Sequence, residues 1–253
     1  MSLLIKLGNF FFRYNKIKML VFDMAGTTIN EHGIVYNTLY DTIKHFNLDV
    51  RKSEIEDWHG RNKYEVLQYY LDKDLESSWV KNNHQYGLSN HSPFSFVENV
   101  IGKKKLYIFD KFDEMLLENY SYGNSVSLMN PEIPDRFNRL REKEIKIALN
   151  TGYGIDVQKL LINELKMDRF IDDYISSEEV VVGRPKPYMI NKLMERQNIM
   201  NPLSVIKIGD TNNDMMEGIN AGCIASIGVL SGVENKIQLK CADHIINNVM
   251  DIE

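Results

Sequence analysis

Cysteine is scarce, with only Cys223 and Cys241 in 253 residues. Two thiols cannot build a disulfide framework and neither sits in a metal-type spacing, so both read as small buried hydrophobes and a reducing cytoplasm is the expected compartment. A basic surplus is also missing. The net charge of -5 and the pI near 5.8 argue against a nucleic-acid surface, which needs a positive field to compete for phosphates. An anionic ligand must then be held by local positive groups. Runs of membrane-spanning length are lacking as well, so no membrane partner is expected. Leu3-Leu4-Ile5 and Phe10-Phe11-Phe12 are apolar, but Lys6, Arg13 and Lys16 interrupt them and no small-residue cleavage pattern follows. That stretch reads as a leader segment on the first strand rather than a signal peptide. Internal repeats and low-complexity tracts are absent too.

What remains is the composition of a soluble globular chain, 43% hydrophobic and 26% charged, long enough for one large core or a core plus a smaller domain. Short β-rich runs at Lys18 to Phe22, Ile145 to Leu149, Tyr174 to Ser176, Val205 to Ile208 and Ile224 to Val229 read as strands, with Ile245 to Ile246 as a short sixth. Helical patterns lie between the later ones. Ile155, Leu160, Leu161 and Leu165 fall on one face, as do Met189, Ile190, Leu193 and Met194, while Met215, Met216 and Ile219 lead to a stop at Gly222. This alternation predicts an α/β fold, a parallel sheet wrapped by helices.

The interval from about Glu31 to Asn130 breaks the rhythm. It is rich in helix formers and aromatics, with Leu106 to Phe109 as its one β-rich run, and is far longer than a crossover. It is expected to fold as an inserted helical domain over residues 31–130, leaving 1–30 and 131–253 as the core. Within it, His84 to Pro93 reads as a loop and Lys103-Lys104-Lys105 as a solvated turn. Tyr69, Tyr70 and Trp79 either pair with a second copy, giving a homodimer through this domain, or bury within it.

Chemistry-bearing residues gather where strands end. Asp23 closes the run Met19 to Phe22 and opens Met24-Ala25-Gly26-Thr27-Thr28, where a carboxylate is placed to attack an electrophile in an α/β crevice or simply to cap the turn. After Leu149, Asn150-Thr151-Gly152-Tyr153 offers a hydroxyl and a glycine amide at a strand-to-helix turn, an anion site or an ordinary connection. Gly183-Arg184-Pro185-Lys186-Pro187 precedes a helix beginning near Pro187. Its guanidinium suits a phosphoryl oxygen, and the alternative is a solvent-exposed arginine. Gly209-Asp210-Thr211-Asn212-Asn213-Asp214 carries two carboxylates that suit Mg2+ or cap a helix.

These four segments, in this order and each after a β-like run, resemble the haloacid dehalogenase superfamily of phosphoryl-transfer hydrolases. The resemblance implies a Rossmann-like core with an inserted helical cap, a Mg2+ cofactor and an aspartyl-phosphate intermediate on Asp23. It also implies that Thr151, with Gly152 and Tyr153, and Arg184 bind the transferring group. Asp23, the main chain at Ala25, Asp210 and Asp214 would surround the metal. Most phosphatases of the superfamily carry a second Asp two residues after the nucleophile as the acid for the leaving oxygen; here Ala25 stands there.

Asp-x-Ala-Gly-Thr-Thr, Thr-Gly-Tyr, Gly-Arg-Pro-x-Pro and Gly-Asp-Thr-x-x-Asp-Met-x-Glu-Gly-x-Asn-Ala-Gly are similar to the phosphonatase branch, phosphonoacetaldehyde hydrolase and its relatives. There a cap lysine forms a Schiff base that accepts electrons as the C–P bond breaks. Gly60-Arg61-Asn62-Lys63 makes Lys63 the matching residue, with an amine that must be neutral to attack. The branch's histidine three residues later is Val66 here, and its methionine before the glycine is His59. Lys63 is thus either the imine former or a binder of phosphate or hydroxyl, and His59 is either the missing acid or a packed residue beside Trp58.

The sequence therefore predicts a Mg2+-dependent hydrolase acting on a small phosphonate or phosphorylated metabolite. The alternatives are a phosphomonoesterase with a cap-supplied acid, and a silent binding protein that kept the fold.

Overall fold

A computed structural model describes residues 4–7, 10–13, 17–55, 58, 62–85, 94–121 and 126–252. The amino-terminal segment folds back on itself. Its strands β1 (Leu4–Leu7) and β2 (Phe10–Arg13) pair antiparallel as a separate two-stranded ribbon.

Strand β3 (Met19–Asp23) follows, buried along its whole length, and a short strand β4 (Ile29–Asn30) pairs with β5 (Ser127–Leu128). The remaining strands are β6 (Lys146–Thr151), β7 (Asp173–Ser176), β8 (Val205–Gly209), β9 (Ala225–Val229) and β10 (His244–Ile246). Six strands form one parallel sheet in the order β10-β9-β8-β3-β6-β7. Counted along the sheet's own strands, this is the doubly wound order 3-2-1-4-5-6, whose direction of winding reverses between β3 and β8. A crevice at the carboxyl ends of those two strands is the place such a sheet offers a ligand.

Alternation along β3 sends its side chains to both faces. Met19 and Val21 join Ala148, Ile175 and Val205 beneath helix α7 (Tyr188–Arg196), which contributes Met189, Ile190, Leu193 and Met194. On the opposite face Phe22 stacks on Phe137 of helix α5 (Ile133–Glu142) with ring centroids 4.6 Å apart. With both faces covered, the strands buried along their whole length, β3, β8 and β9, are expected to be near-continuously hydrophobic, which is why a charge inside one is informative.

Helix α6 (Ile155–Glu164) buries Val157, Gln158, Leu161 and Ile162, whereas Ile155, Leu160 and Leu165 are only partly covered. The expected face was therefore rotated, because Gln158 turns inward to donate to the Ile175 carbonyl at 3.1 Å. Helix α8 (Asn212–Ala221) ends at Gly222 as expected, yet its buried face is Asp214, Met215, Glu217 and Gly218, and Ile219 is exposed.

The chain divides into two units, one of residues 1–32, 59–62 and 124–253 and the other of residues 33–58 and 63–123. The second is helical: α1 (Ile34–His45), α2 (Lys52–Ile55), α3 (Lys63–Gln85) and α4 (Phe94–Ser121). Helix α1 turns Val35, Leu39 and Ile43 inward, and α4 supplies Ile108, Phe112, Leu116 and Tyr120. That four-residue recurrence explains why Leu106 to Phe109 and Lys103 to Lys105, read from sequence as a strand and a turn, both lie inside α4. Of the loop expected from His84 to Pro93, His84 and Gln85 instead end helix α3, and residues 86–93 fall outside the described residues. Tyr70 is buried against Trp58, with ring centroids 6.4 Å apart, while Tyr69 is exposed.

Phe137 touches Phe22 at 4.6 Å and Phe170 at 6.1 Å between ring centroids and is fully buried. Phe137→Ala is expected to lower the stability of the sheet unit by about 3–5 kcal/mol, read as a shift in urea midpoint with the native circular dichroism retained.

Candidate active site

Strand β3 delivers Asp23 opposite Asn150 of β6, one residue before Thr151. The turn after it is tied by Thr28, whose hydroxyl donates to the Asp23 carbonyl at 3.0 Å, and by the Gly26 amide, which donates to the Ile29 carbonyl at 2.8 Å. Gly26 has φ +76°, and a Cβ there would overlap the Asp210 carboxylate, so glycine is required for both conformation and space. Ala25 is half-buried in this turn and bridges to Ile29.

Strand β8 delivers Asp210 from the other side of the switch point. Its Oδ2 accepts the Val233 amide at 2.9 Å and its Oδ1 the Thr27 hydroxyl at 3.5 Å. A Cβ at Gly232 would strike the same carboxylate. Asp214, one helical turn on, sits in the first turn of α8, its Oδ2 accepting from the Thr211 hydroxyl at 2.5 Å. Asp23, Asp210 and Asp214 are all buried and offer oxygens that lie within 4.8 Å of one another, a set able to hold a divalent cation.

Arg184 joins the cluster rather than pointing to solvent. Its Nη2 lies 2.7 Å from Asp23 Oδ1, its Nη1 contacts Asp214 Oδ1, and its Nε lies 3.8 Å from Glu217 Oε2. Burial opposes its charge, but Asp214, Asp23 and Glu217 more than compensate and hold its proton more tightly than usual. Lys207, inside β8 and fully buried, was not foreseen as part of this group. Its Nζ lies 2.9 Å from Asp214 Oδ1 and 3.7 Å from Glu217 Oε2, and donates to Asn150 Oδ1 at 2.8 Å. The signal was present in Val205-Ile206-Lys207-Ile208: a charge in the middle of a strand buried on both faces has to be paired.

The electrostatics follow from charge and dryness together. Burial, with Asp23 and Asp214 nearby, raises the Asp210 carboxyl well above the ordinary value. Burial also raises Asp23, Asp214 adding to it and Arg184 only partly opposing it. Asp214 feels the same burial but is held below the usual range by Arg184 and Lys207. Four buried carboxylates, Asp23, Asp210, Asp214 and Glu217, thus face two buried cations, Arg184 and Lys207. Fully ionised, the six groups carry two uncompensated negative charges, the amount that one divalent cation would neutralise.

Of the remaining expected residues, Thr151 is buried at the end of β6, and its Oγ1 accepts the Tyr153 amide at 3.2 Å. Half-buried Gly152 and buried Tyr153 complete that turn, and the Tyr153 carbonyl accepts from Ser176 Oγ at 2.5 Å. Lys63 belongs to the helical unit, where its Nζ donates to Tyr36 Oη at 3.2 Å and lies 4.4 Å from that ring's centroid. Val66, at the place of the branch's histidine, is buried. His59 lies outside the described residues.

An open parallel sheet of doubly wound order, with carboxylates and an arginine at its switch point, defines a class of α/β enzymes, and comparison places the chain within it. Residues 20–229 match the family described as haloacid dehalogenase-like hydrolase, and the chain belongs to that family, in its phosphonatase-like branch. It is 31% identical over 221 residues to phosphonoacetaldehyde hydrolase of Bacillus cereus strain G9842, covering 86% of this chain and 77% of that one. It is 28% identical over 222 residues to a bifunctional phosphonoacetaldehyde hydrolase/aminoethylphosphonate transaminase of Clostridioides difficile. That alignment covers 86% of this chain but only 32% of the bifunctional protein. The fold is similar to that of a phosphonoacetaldehyde hydrolase-like protein from Oleispira antarctica, with TM-score 0.71, 20% identity and coverage of 93% and 90%. It is also similar to that of a β-phosphoglucomutase from Clostridium difficile, with TM-score 0.69, 18% identity and coverage of 92% and 91%. No described helix is long and apolar enough to cross a membrane.

Burial pushes the Glu217 carboxyl up from 4.5 to about 7, Lys207 and Arg184 only partly opposing it. An acid whose folded value exceeds its unfolded one contributes most to stability while protonated, so its contribution is lost between pH 4.5 and about 7. Urea melts of the cation-free protein should show stability falling across that window, and Glu217→Gln should flatten that part of the fall.

Proposed function

We propose that the chain is a Mg2+-dependent hydrolase of phosphonatase type, working in the cytoplasm on a small phosphonate through an aspartyl-phosphate formed on Asp23. The observation that carries this reading is the contact of Asp23 with Arg184 at 2.7 Å, beside Asp210 and Asp214, with Ala25 where an acid would otherwise stand. The likeness to phosphonoacetaldehyde hydrolase of Bacillus cereus supports the substrate class.

In the proposed reaction the Lys63 amine condenses with the substrate aldehyde, releasing water and leaving an iminium. Asp23 Oδ then attacks phosphorus; the C–P bond breaks and its electron pair flows into the iminium to give an enamine. Protonation at carbon and hydrolysis of the imine release the aldehyde product and restore Lys63. Water cleaves the aspartyl phosphate to free Asp23. No acid is needed at position 25, because the leaving group is a stabilised carbon rather than an alkoxide. Arg184 holds the phosphoryl oxygens, with Thr151 and the Gly152–Tyr153 turn beside it. The four-carboxylate, two-cation cluster fits Mg2+ held by Asp23, Asp210 and Asp214 with the main chain at Ala25. Bound there, the ion would neutralise charge developing on the equatorial oxygens.

One observation favours a second reading, a phosphomonoesterase. The Lys63 ammonium over the Tyr36 ring, 4.4 Å from its centroid, sits in a setting that stabilises a cation and suits binding an anionic oxygen.

A substrate panel separates the two. If the imine forms, borohydride with phosphonoacetaldehyde tags Lys63, and Lys63→Ala cuts phosphonate turnover by about 10²- to 10⁴-fold while leaving any phosphate-ester turnover less affected. Turnover of esters with no borohydride tag assigns the esterase. Asp23→Asn should abolish both, a loss on the order of 10⁶-fold.

A further inference from the structure

We propose that Lys207 and Glu217 are positioning residues that set the charge of the metal site and keep Arg184 free for the phosphoryl group. The inference rests on the Mg2+-dependent reading above.

The geometry is a closed ring of buried polar groups. Lys207 Nζ bridges Asp214 Oδ1 at 2.9 Å and Glu217 Oε2 at 3.7 Å. Asn150 Nδ2 donates to Glu217 Oε2 at 2.8 Å while Asn150 Oδ1 accepts from Lys207 at 2.8 Å. Arg184 closes the ring, with Nη1 on Asp214, Nε 3.8 Å from Glu217 and Nη2 donating to the Asn150 carbonyl at 3.4 Å. Lys207 and Glu217 are fully buried. Well-packed apolar residues would hold a sheet and a helix together as well as a buried ion pair does, so packing alone does not account for this pair. The buried atoms Arg184 Nε and Glu217 Oε1 have no hydrogen-bond partner among the described residues, which leaves the ring short of full mutual satisfaction.

Each member has a distinct effect on the site. Asp214 Oδ1 is contested by two cations, Lys207 and Arg184. While Lys207 neutralises it, Arg184 can transfer Nη1 from Asp214 to an incoming phosphoryl oxygen without stranding a buried carboxylate. Glu217 adds the negative charge that brings the six-group cluster to an excess of two. Removing the Glu217 charge leaves an excess of one and should weaken uptake of a divalent cation. Removing the Lys207 charge leaves an excess of three and should strengthen uptake, while Asp214 keeps its hold on Arg184 and substrate binding suffers. A role limited to packing would move both properties the same way in both variants.

The test is Mg2+ binding to the EDTA-stripped full chain at pH 8 by calorimetry, joined to steady-state kinetics on the substrate found by the panel. Glu217→Gln, nearly isosteric, is expected to weaken Mg2+ binding by about 10- to 100-fold. Lys207→Met is expected to tighten Mg2+ binding by about tenfold and to raise KM by a similar factor, and the double variant should return Mg2+ affinity to near the wild-type value. Unchanged Mg2+ affinity in folded Glu217→Gln, or a change of the same sign in both single variants, overturns the proposal. If Lys207→Met fails to fold, the Glu217→Gln titration alone decides. A wild-type chain that takes up no Mg2+ is a different failure, which removes the metal-dependent reading itself and this inference with it.

Discussion

Arg184 holding Asp23 and Asp214 together is the contact on which the rest of the molecule depends. Carboxylates buried this close repel one another and are costly to desolvate. They stay together because a guanidinium, never deprotonated at working pH, lies among them with donors in a fixed fork. The sheet exists, in this sense, to bring one acid from β3, two from the β8–α8 junction and one arginine from the loop before α7 to a single point. The doubly wound strand order does this by turning the winding direction between β3 and β8, so the ends of two non-consecutive strands face the same crevice.

Much of this was legible in the sequence because strands buried on both faces leave an unambiguous trace. Each run predicted outside the helical insertion became a strand of the parallel sheet with its ends shifted by a residue or two, and the chemistry lay where the apolar character stopped. Arg184 was placed by the two prolines that follow it, Pro185 and Pro187, which mark a fixed loop. Helix faces were harder to read. Periodicity assumes that the inward stripe is apolar, whereas α8 turns Asp214 and Glu217 inward and leaves Ile219 outside, and α6 turns Gln158 inward. Wherever a helix buries chemistry instead of hydrocarbon, the apolar stripe points away from the true face. Lys207 was missed for the related reason that a lone charge was read as part of a strand rather than as a demand for partners. In the helical unit the error ran the other way: Leu106 to Phe109 is apolar and aromatic enough for a strand, and only the four-residue recurrence from Ile108 to Tyr120 shows that it is helix.

Two readings of Asp214, a helix cap and a member of a carboxylate cluster, looked like rivals in the sequence, and in the structure one side chain caps α8 and also lies in the buried cluster with Asp23 and Asp210. Oδ2 faces Thr211, accepting from its hydroxyl at 2.5 Å and from its amide at 3.3 Å, which completes the capping box of α8. Oδ1 faces Lys207 and Arg184. A carboxylate with each oxygen committed to a different partner set has one accessible rotamer, so the same bonds that start the helix also fix the second oxygen in the cluster. The capping interaction is therefore part of the site's preorganisation. An Asp that only capped would leave its other oxygen to solvent, whereas here that oxygen is buried against two cations. Helix capping and the buried charge cluster meet in a single side chain, and a sequence signal for one of them cannot be counted as evidence against the other.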